Sequence, residues 1–435
     1  MTVKSKELYK LYQQHPVIST DSREIFPGCL FFALKGDNFD GNTYAQQALE
    51  KGAAYAVVDD PELAEREGCL LVENTLEALQ GLAIEHRSRL NIPFFGITGS
   101  NGKTTTKELI TKVLERKYNV IATEGNLNNH IGVPLSILKV TEKHEIAVVE
   151  MGANHPGEIE QLARIARPEY GLITNIGKAH LEGFGSIDGV KKTKKELYEY
   201  IDSVDGKILL NIEDYDLVMM AGAISRLTYG NTTTTADVIA KDIQADPFLH
   251  ITWKSINHYK EYAIATQLLG SYNWMNVMAA IAAGILFGVG PQDINNAISS
   301  YCPSNNRSQL VKTTDNELIM DAYNANPTSM MMALKNFFQL NRPEKCLILG
   351  DMMELGEEAQ KEHYAIMETI IENRNKLDKV MLVGEQFGAV ATHEALHFDS
   401  TSEIIDYIKK NPLKAKTILI KGSRGNKLEM LTDVL

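Results

Sequence analysis

A lysine and three threonines follow a glycine-containing turn in the stretch FFGITGSNGKTTT, residues 94–106. The apolar run before the turn is short and β-prone, and the threonines open a helical pattern. A strand–turn–helix of this kind aims the N–H groups of the turn and the positive end of the helix at one point, which suits a polyphosphate. Lys103 then reaches the outer phosphates and Thr104 offers its hydroxyl to Mg²⁺. Gly99, Ser100, Asn101, Gly102 and Thr105 complete the cradle. The general phosphate-loop pattern asks for glycine five residues before Gly102, where this chain has Ile97. What is present is the shorter G-x-x-G-K-T of residues 99–104. A tight turn with an exposed lysine carries the same letters, but the strand–loop–helix context favours the phosphate site.

Two further apolar runs end in residues able to do chemistry. FFGIT, EIAVVE and GLITNI have the length and composition of strands buried on both faces of a parallel sheet. In such a sheet ligands collect beyond the carboxyl ends of the strands. EIAVVE ends at Glu150, and GLITNI runs into Gly177-Lys178-Ala179-His180. If the strands are parallel, Lys103, Glu150 and His180 share one rim. A carboxylate and an imidazole beside a triphosphate can hold a divalent cation. Alone, Glu150 reads as a cap and His180 as a structural histidine; their shared placement favours function.

Other candidates carry two readings each. Lys191, Lys192, Lys194 and Lys195 surround Thr193, as the solvated start of a helix or as a positive cluster near phosphate. Asn273 and Asn276 lie three apart on one helical face. Their amides both donate and accept, so they could read an adenine edge or cap the helix. Arg307 opens a third unit and Asp321 ends its first strand, placed to accept from a ribose hydroxyl or join a metal network. Asn324 and Asn326, in DAYNANPTS, shape a turn or face a ligand. Lys421-Gly422-Ser423-Arg424 offers two cations and a hydroxyl on a loop to a carboxylate or phosphate.

The elements that must position these residues fall into three α/β units. CLFFALKG and AAYAVVDD read as strands with a helix between them, and a longer helix over 74–90 stops before Pro93. That places a boundary near residue 91. The segment 231–269 is threonine-rich and alternating, with ADVIA, HITW and EYAIAT suggesting a small antiparallel patch. An alanine-rich helix follows over 274–287. From residue 306, ELIMDAY, KCLILGD, KVMLVG and TILIKGS alternate with helical segments, predicting a doubly wound parallel sheet. Met330, Met331 and Met332 are expected in its core.

The bulk numbers exclude more than they assign. At 435 residues the chain is long enough for several domains, and 44% hydrophobic with 23% charged residues is ordinary for a globular protein. A formal charge of -12 argues against a general nucleic-acid binder. Cys29, Cys69, Cys302 and Cys346 are far apart and are expected to be buried and reduced. No apolar run is long enough to span a bilayer, and MTVKSKELYKLYQQH lacks the apolar core of a signal peptide, so a cytoplasmic protein without membrane insertion is expected.

Taken together, GSNGKTTT, EGNLNNHIGVPLSIL, VVEMGANHPGEI, TNIGKAHLEGFGS, GSYNWMNVMAA, DAYNANPTSM, LGDMMELG and KGSR resemble the Mur ligases, the ATP-dependent amide-forming family of peptidoglycan synthesis. The short phosphate loop is the family's own form. STDSREIFPGCLFFALKG, NLNNHIGVPLS and DAYNANPTSM are most similar to the branch that adds D-alanyl-D-alanine to UDP-N-acetylmuramoyl-tripeptide. The sister ligases adding one amino acid, and folylpolyglutamate synthases, share the ATPase core. From another class, a phosphate-loop switch would turn over ATP without any small acceptor.

The resemblance implies a UDP-substrate domain at 1–90, an ATP-binding central domain at 91–305 and a Rossmann-like domain at 306–435. It implies that Lys103 and Thr104 bind the ATP phosphates and Mg²⁺, and that Glu150 and His180 hold a second Mg²⁺. Lys194 matches the family lysine carbamylated by carbon dioxide. Asn273 would contact adenine, and Arg307 and Asp321 the nucleotide. Ser22 and Arg23 would contact the uridine nucleotide, and Asn128 and Asn129 would bind substrate. Asn324, Asn326, Ser423 and Arg424 would hold the incoming dipeptide. The family has glycine before the arginine, where this chain has Asn306. The small-molecule substrates implied are the UDP-muramoyl-tripeptide and D-alanyl-D-alanine, with no nucleic-acid partner and a monomer expected.

Overall fold

The run FFGIT forms the strand Phe94–Thr98, buried at every position. Its two faces meet different halves of the core. Phe94 joins the cluster holding Leu162 and Leu197, whereas Phe95 and Ile97 join the one holding Leu109 and Val277. An apolar residue at nearly every position is therefore what this strand needs. The computed structural model describes residues 2–231, 236–256, 260–304 and 306–435. The threonine run at 232–235, residues 257–259 within the alternating segment, and Asn305 at the expected domain boundary lie outside the described residues.

Phe94–Thr98 sits inside a nine-stranded sheet, parallel to Ile146–Glu150 on one side and Tyr170–Ile173 on the other. From Phe94–Thr98 the chain travels out to the edge strand Val120–Ala122, returns to Ile146–Glu150, then crosses to Tyr170–Ile173. The strand order reverses at Phe94–Thr98, and a crevice opens there beyond the carboxyl ends. Lys207–Asn211, Arg226–Gly230 and Val238–Ala245 continue the sheet in parallel. Phe248–Ser255 and Tyr262–Leu269 follow antiparallel. The expected antiparallel patch is thus an extension of the central sheet, because Val238–Ala245 pairs with Arg226–Gly230.

The other two sheets are built more simply. Ile18–Ser19, Leu30–Phe32, Tyr55–Val58 and Cys69–Leu71 form a four-stranded parallel sheet. The helix Thr75–Arg87 follows, started by Asn74, whose side chain accepts from the Glu77 N–H. Near the C-terminus, Glu317–Asp321, Thr417–Lys421, Lys345–Gly350, Lys379–Val383 and Leu396–Phe398 lie parallel, with Gln309–Lys312 antiparallel at the edge.

Three details depart from the sequence reading or refine it. Cys29 and Cys346 are buried, but Cys69 is half-buried and Cys302 exposed; all four are free thiols. Met330 is buried in the core, whereas Met332 lines the cleft between domains. Asn306 holds a left-handed backbone with φ 56°. Asparagine tolerates that conformation better than most residues, so Asn306 can serve where the resemblance has glycine. Among the described residues no helix is long and apolar enough to cross a membrane.

Candidate active site

The loop after Thr98 closes only because two of its residues lack a side chain. Gly99 has φ 145°, and a Cβ there would lie 1.9 Å from Thr174 Oγ1. Gly102 has φ 76°, and its Cβ would meet Asn276 Oδ1 at 2.6 Å. Glycine satisfies both demands. The neighbouring strand's end then braces the loop. Ser100 Oγ donates to the Gly177 carbonyl at 3.0 Å and accepts from the Gly177 N–H at 2.9 Å. Asn175 Oδ1 accepts from the Asn101 N–H at 3.1 Å, and its Nδ2 donates to the Asn101 carbonyl at 2.9 Å. Sequence reasoning did not single out Asn175; its place just past the strand beside the loop strand was the available signal.

Lys103 opens the helix Lys103–Leu114. With no ion pair among the described residues, its ammonium curls back to the carbonyls of Gly99 at 2.8 Å and Ser100 at 3.4 Å. Burial pushes its pKa down; the Glu150 charge opposes this and Arg307 reinforces it. Glu150, 1% exposed, ends Ile146–Glu150. Its Oε1 accepts from Asn128 Nδ2 at 2.7 Å, and its Oε2 is buried without a partner among the described residues. A buried carboxylate oxygen left unpaired is costly and marks a position open to a ligand. Thr104 lines the same cleft.

His180 also lines it, from a residue in left-handed backbone with φ 51°. His180 Nδ1 lies 2.6 Å from Glu354 Oε2, although the ring nitrogen is not aligned as a hydrogen bond. Among the described residues no three His, Cys, Asp or Glu side chains stand together as a metal site. The Glu150 carboxylate and the Thr104 hydroxyl are the oxygen donors Mg²⁺ takes, with the His180 imidazole beside them in the same lining. That ion binds through one or two carboxylates and completes its shell with substrate phosphates and water.

Of the four clustered lysines the structure singles out one. Lys191 pairs with Asp216 at 2.9 Å and Lys195 with Glu199 at 3.0 Å, and Lys192 is exposed. Lys194 is 2% exposed, without an ion pair among the described residues, its Nζ 5.4 Å from the Phe184 ring centroid. Burial, with the nearby Lys103 charge, lowers its pKa to about 7 against the opposing pull of Glu196 and Glu158. Lys194 lies behind the cleft lining.

The cleft, of about 450 Å³, runs between the central and C-terminal units. Asn273 is buried and partly committed. Its Nδ2 donates to the Leu269 carbonyl at 2.7 Å and its Oδ1 accepts from Asn276 at 2.7 Å. The Arg307 guanidinium stacks 3.6 Å over the Tyr323 ring. Asp321 Oδ2 meets Lys421 Nζ at 2.5 Å, and its Oδ1 accepts from the Ser308 N–H at 3.1 Å. Lys421, expected on a loop, is the buried last residue of Thr417–Lys421. Asn326 caps the helix Pro327–Gln339, and its Nδ2 reaches Asn101 Oδ1 at 2.8 Å, joining the C-terminal unit to the loop. Asn324 accepts from the Ala325 N–H at 2.9 Å. Asn129 accepts from the Gly132 N–H at 2.9 Å. Both asparagines line the cleft with Asn128. Tyr272, Tyr323 and Gln161 are lining residues that sequence reasoning passed over.

Besides Gly99 and Lys194, four expected residues lie outside this cleft lining. Ser423 is buried, its Oγ accepting from the Met353 N–H at 2.9 Å. Arg424 is exposed, 5.8 Å from the Tyr323 ring centroid. The Ser22 carbonyl accepts from Lys51 Nζ at 2.7 Å, and exposed Arg23 pairs with Asp21 at 2.6 Å. Asp21 and Glu24 line a second cavity, of about 490 Å³, shared with Leu135 and Leu138 of the central unit.

The fold and the loop define a multidomain α/β protein with a phosphate loop at its switch point. Residues 97–284 match the Mur ligase middle domain, residues 306–424 the Mur ligase, glutamate ligase domain, and residues 16–93 the Mur ligase family, catalytic domain. The chain belongs to the Mur ligase family. It is 39% identical over 432 residues to the UDP-N-acetylmuramoyl-tripeptide--D-alanyl-D-alanine ligase of Bacillus subtilis (strain 168), covering 96% of this chain and 92% of that protein. The crystal structure of MurF from Acinetobacter baumannii superposes with a TM-score of 0.85 at 30% identity, covering 96% of this chain and 92% of that one. MurF ligase from Thermotoga maritima, in complex with ADP, gives a TM-score of 0.85 at 26% identity over 96% of each chain.

Proposed function

We propose that the chain is an ATP-dependent, ADP-forming ligase that adds D-alanyl-D-alanine to UDP-N-acetylmuramoyl-tripeptide in peptidoglycan precursor synthesis. Similarity along nearly the whole chain to ligases of that name supports the substrates. The observation that carries the chemistry is the unpaired pair of charges at the switch point, Lys103 without a carboxylate and Glu150 with a bare Oε2.

A carboxylate is a poor acyl donor. Its oxygen attacks the γ-phosphorus, the bond to the bridging oxygen breaks, and ADP leaves with that electron pair. The amine of the dipeptide then attacks the acyl carbon, loses a proton and expels phosphate, forming the amide. Lys103 swings from its own loop carbonyls onto the outer phosphates, and the N–H groups at the start of Lys103–Leu114 offset charge there. Thr104, Glu150 and His180 would hold Mg²⁺, which supplies further charge neutralisation. Lys194 attacks carbon dioxide as a free amine, and a pKa near 7 keeps a large share in that form at neutral pH. Its carbamate would turn a cation into a carboxylate behind the metal position.

Residues 1–90 would receive the uridine nucleotide near Ser22 and Arg23, beside the second cavity. Residues 91–305 would hold ATP, with Asn273 toward adenine. Residues 306–435 would close over it, bringing Arg307, Asp321, Asn324 and Asn326, with Ser423 and Arg424 behind the dipeptide. A monomer working in the cytoplasm, where ATP is supplied, completes the reading. Phosphate release is measured with ATP, the UDP-muramoyl-tripeptide and D-alanyl-D-alanine, followed by product mass. Release that needs both cosubstrates, with one dipeptide added, is expected. Equal release after omitting either one would favour the switch class.

A further inference from the structure

The segment carrying His180 is gripped by the C-terminal unit at several points. Glu354 Oε2 lies 2.6 Å from His180 Nδ1, and the Glu354 carbonyl accepts from the Glu182 N–H at 3.2 Å. Lys178 Nζ meets Glu362 Oε1 at 2.5 Å, with the Glu362 side chain only 7% exposed. The Lys178 N–H donates to Thr328 Oγ1 at 3.0 Å. Both residues of the central contact hold left-handed backbone, His180 at φ 51° and Glu354 at φ 63°. Such conformations persist where surrounding structure enforces them, and they gather at working sites. The loop bearing Glu354 is itself pinned. The Met352 N–H donates to His363 Nε2 at 3.0 Å and the Met353 N–H to Ser423 Oγ at 2.9 Å.

We propose that Glu354 is a positioning residue for His180, delivered from the C-terminal unit, and that the Lys178–Glu362 pair holds the two in register. A carboxylate beside one ring nitrogen of a metal-binding histidine fixes the tautomer and the ring plane, leaving the other nitrogen for the ion. Here the carboxylate faces Nδ1, so Nε2 is the nitrogen left for the cleft. The contact is near but off the hydrogen-bond line, so a small ring rotation completes it. Since Glu354 and His180 sit in different units, a productive metal position forms only when those units are together. Ser423 then acts at a distance, by anchoring the loop that carries Glu354.

The inference rests on the ligase reading but is tested apart from it. Mn²⁺ binding is followed by electron spin resonance with ADP present, in the whole chain and in Glu354→Ala, Glu354→Gln and Lys178→Met. The Glu354 side chain is 49% exposed, so truncating it spares the core. Glu354→Ala is expected to weaken Mn²⁺ about tenfold or more, with Glu354→Gln, which keeps an acceptor, affected less. Half-saturating Mg²⁺ in turnover should rise in parallel while the KM for ATP stays within about twofold. Lys178→Met should enlarge the radius of gyration in X-ray scattering. Unchanged Mn²⁺ affinity in Glu354→Ala, or equal loss for ATP and metal, overturns the positioning role; unchanged scattering in Lys178→Met overturns the register role. A wild-type chain that binds Mn²⁺ with Glu354 dependence yet releases no phosphate would sink the ligase reading alone.

Discussion

At the end of Thr417–Lys421 the C-terminal sheet buries an ammonium against a carboxylate, Lys421 with Asp321, and the remaining Asp321 oxygen accepts from Ser308. Nearby Asp351 accepts from the N–H groups of Gln386 and Phe387 at 2.9 and 2.8 Å. At the end of Phe94–Thr98 the central sheet leaves Lys103 on its own loop carbonyls, Lys194 against an aromatic ring, and Glu150 Oε2 without a partner among the described residues. The two rims have the same architecture and opposite charge economy. Sequestered charge without a counter-charge destabilises a fold, so a rim that keeps Lys103, Lys194 and Glu150 without ion pairs among the described residues is prepared for a ligand of both signs. At the C-terminal rim Lys421 and Asp321 already satisfy each other.

The two rims should differ most at Lys103. Lys103→Ala should lower kcat about 10³-fold, while thermal stability holds or rises because an uncompensated cation has gone. A drop in melting temperature alongside lost activity would mean Lys103 is structural. The opposite pattern belongs to Asp321→Ala, which leaves Lys421 buried and alone. It should cost about 3 kcal/mol in urea unfolding, with Asp321→Asn between it and wild type. A loss below about 1 kcal/mol would show that this rim is not held by its ion pair.

How much of this contrast could be read from letters depends on the range of each interaction. The loop of residues 99–104 is legible as a contiguous motif, although the contacts that require its glycines come from far along the chain: Thr174, past the adjacent strand, for Gly99 and Asn276, in the helix Trp274–Leu286, for Gly102. Glu150 and His180 were placed on one rim by strand ends alone, yet nothing local revealed that Glu150 Oε2 stays unpaired. Four neighbouring lysines looked alike until packing buried Lys194 and paired Lys191 with Asp216 of a later helix, while Lys195 pairs one turn away with Glu199. Glu354 lies within LGDMMELG, but its contact is with a residue far earlier in the chain. Ser423 looked like a ligand group because a loop hydroxyl and an anchored one are identical in sequence. The antiparallel strands were visible by alternation; their attachment to Arg226–Gly230 is a pairing across the fold.

Lys194 gives the central rim a second chemical signature. Lys194→Ala should reduce turnover about a hundredfold, and acetate, standing in for the lost carbamate, should restore part of it. Depleting carbon dioxide from the wild-type assay should slow it and added bicarbonate recover it. If neither acetate nor bicarbonate changes any rate, the lysine works without a carbamate.

The smallest effect concerns stability and pH, measured without carbon dioxide. Lys194 titrates near pH 7 in the fold against an ordinary value of 10.5. Between those two values the unfolded chain binds the extra proton, so stability rises with pH there. Below pH 7 both states are protonated and the burial penalty is constant. The slope from this residue is at most about 1.4 kcal/mol per pH unit, and Lys103, also shifted down by burial, adds the same sign. Wild type should therefore gain on Lys194→Met in urea midpoint between pH 7 and pH 9, and adding bicarbonate at fixed pH should shift wild type alone. Parallel midpoint curves for the two proteins would mean Lys194 is solvated in solution, and the central rim would then carry one unpaired charge fewer than its partner sheet makes it seem.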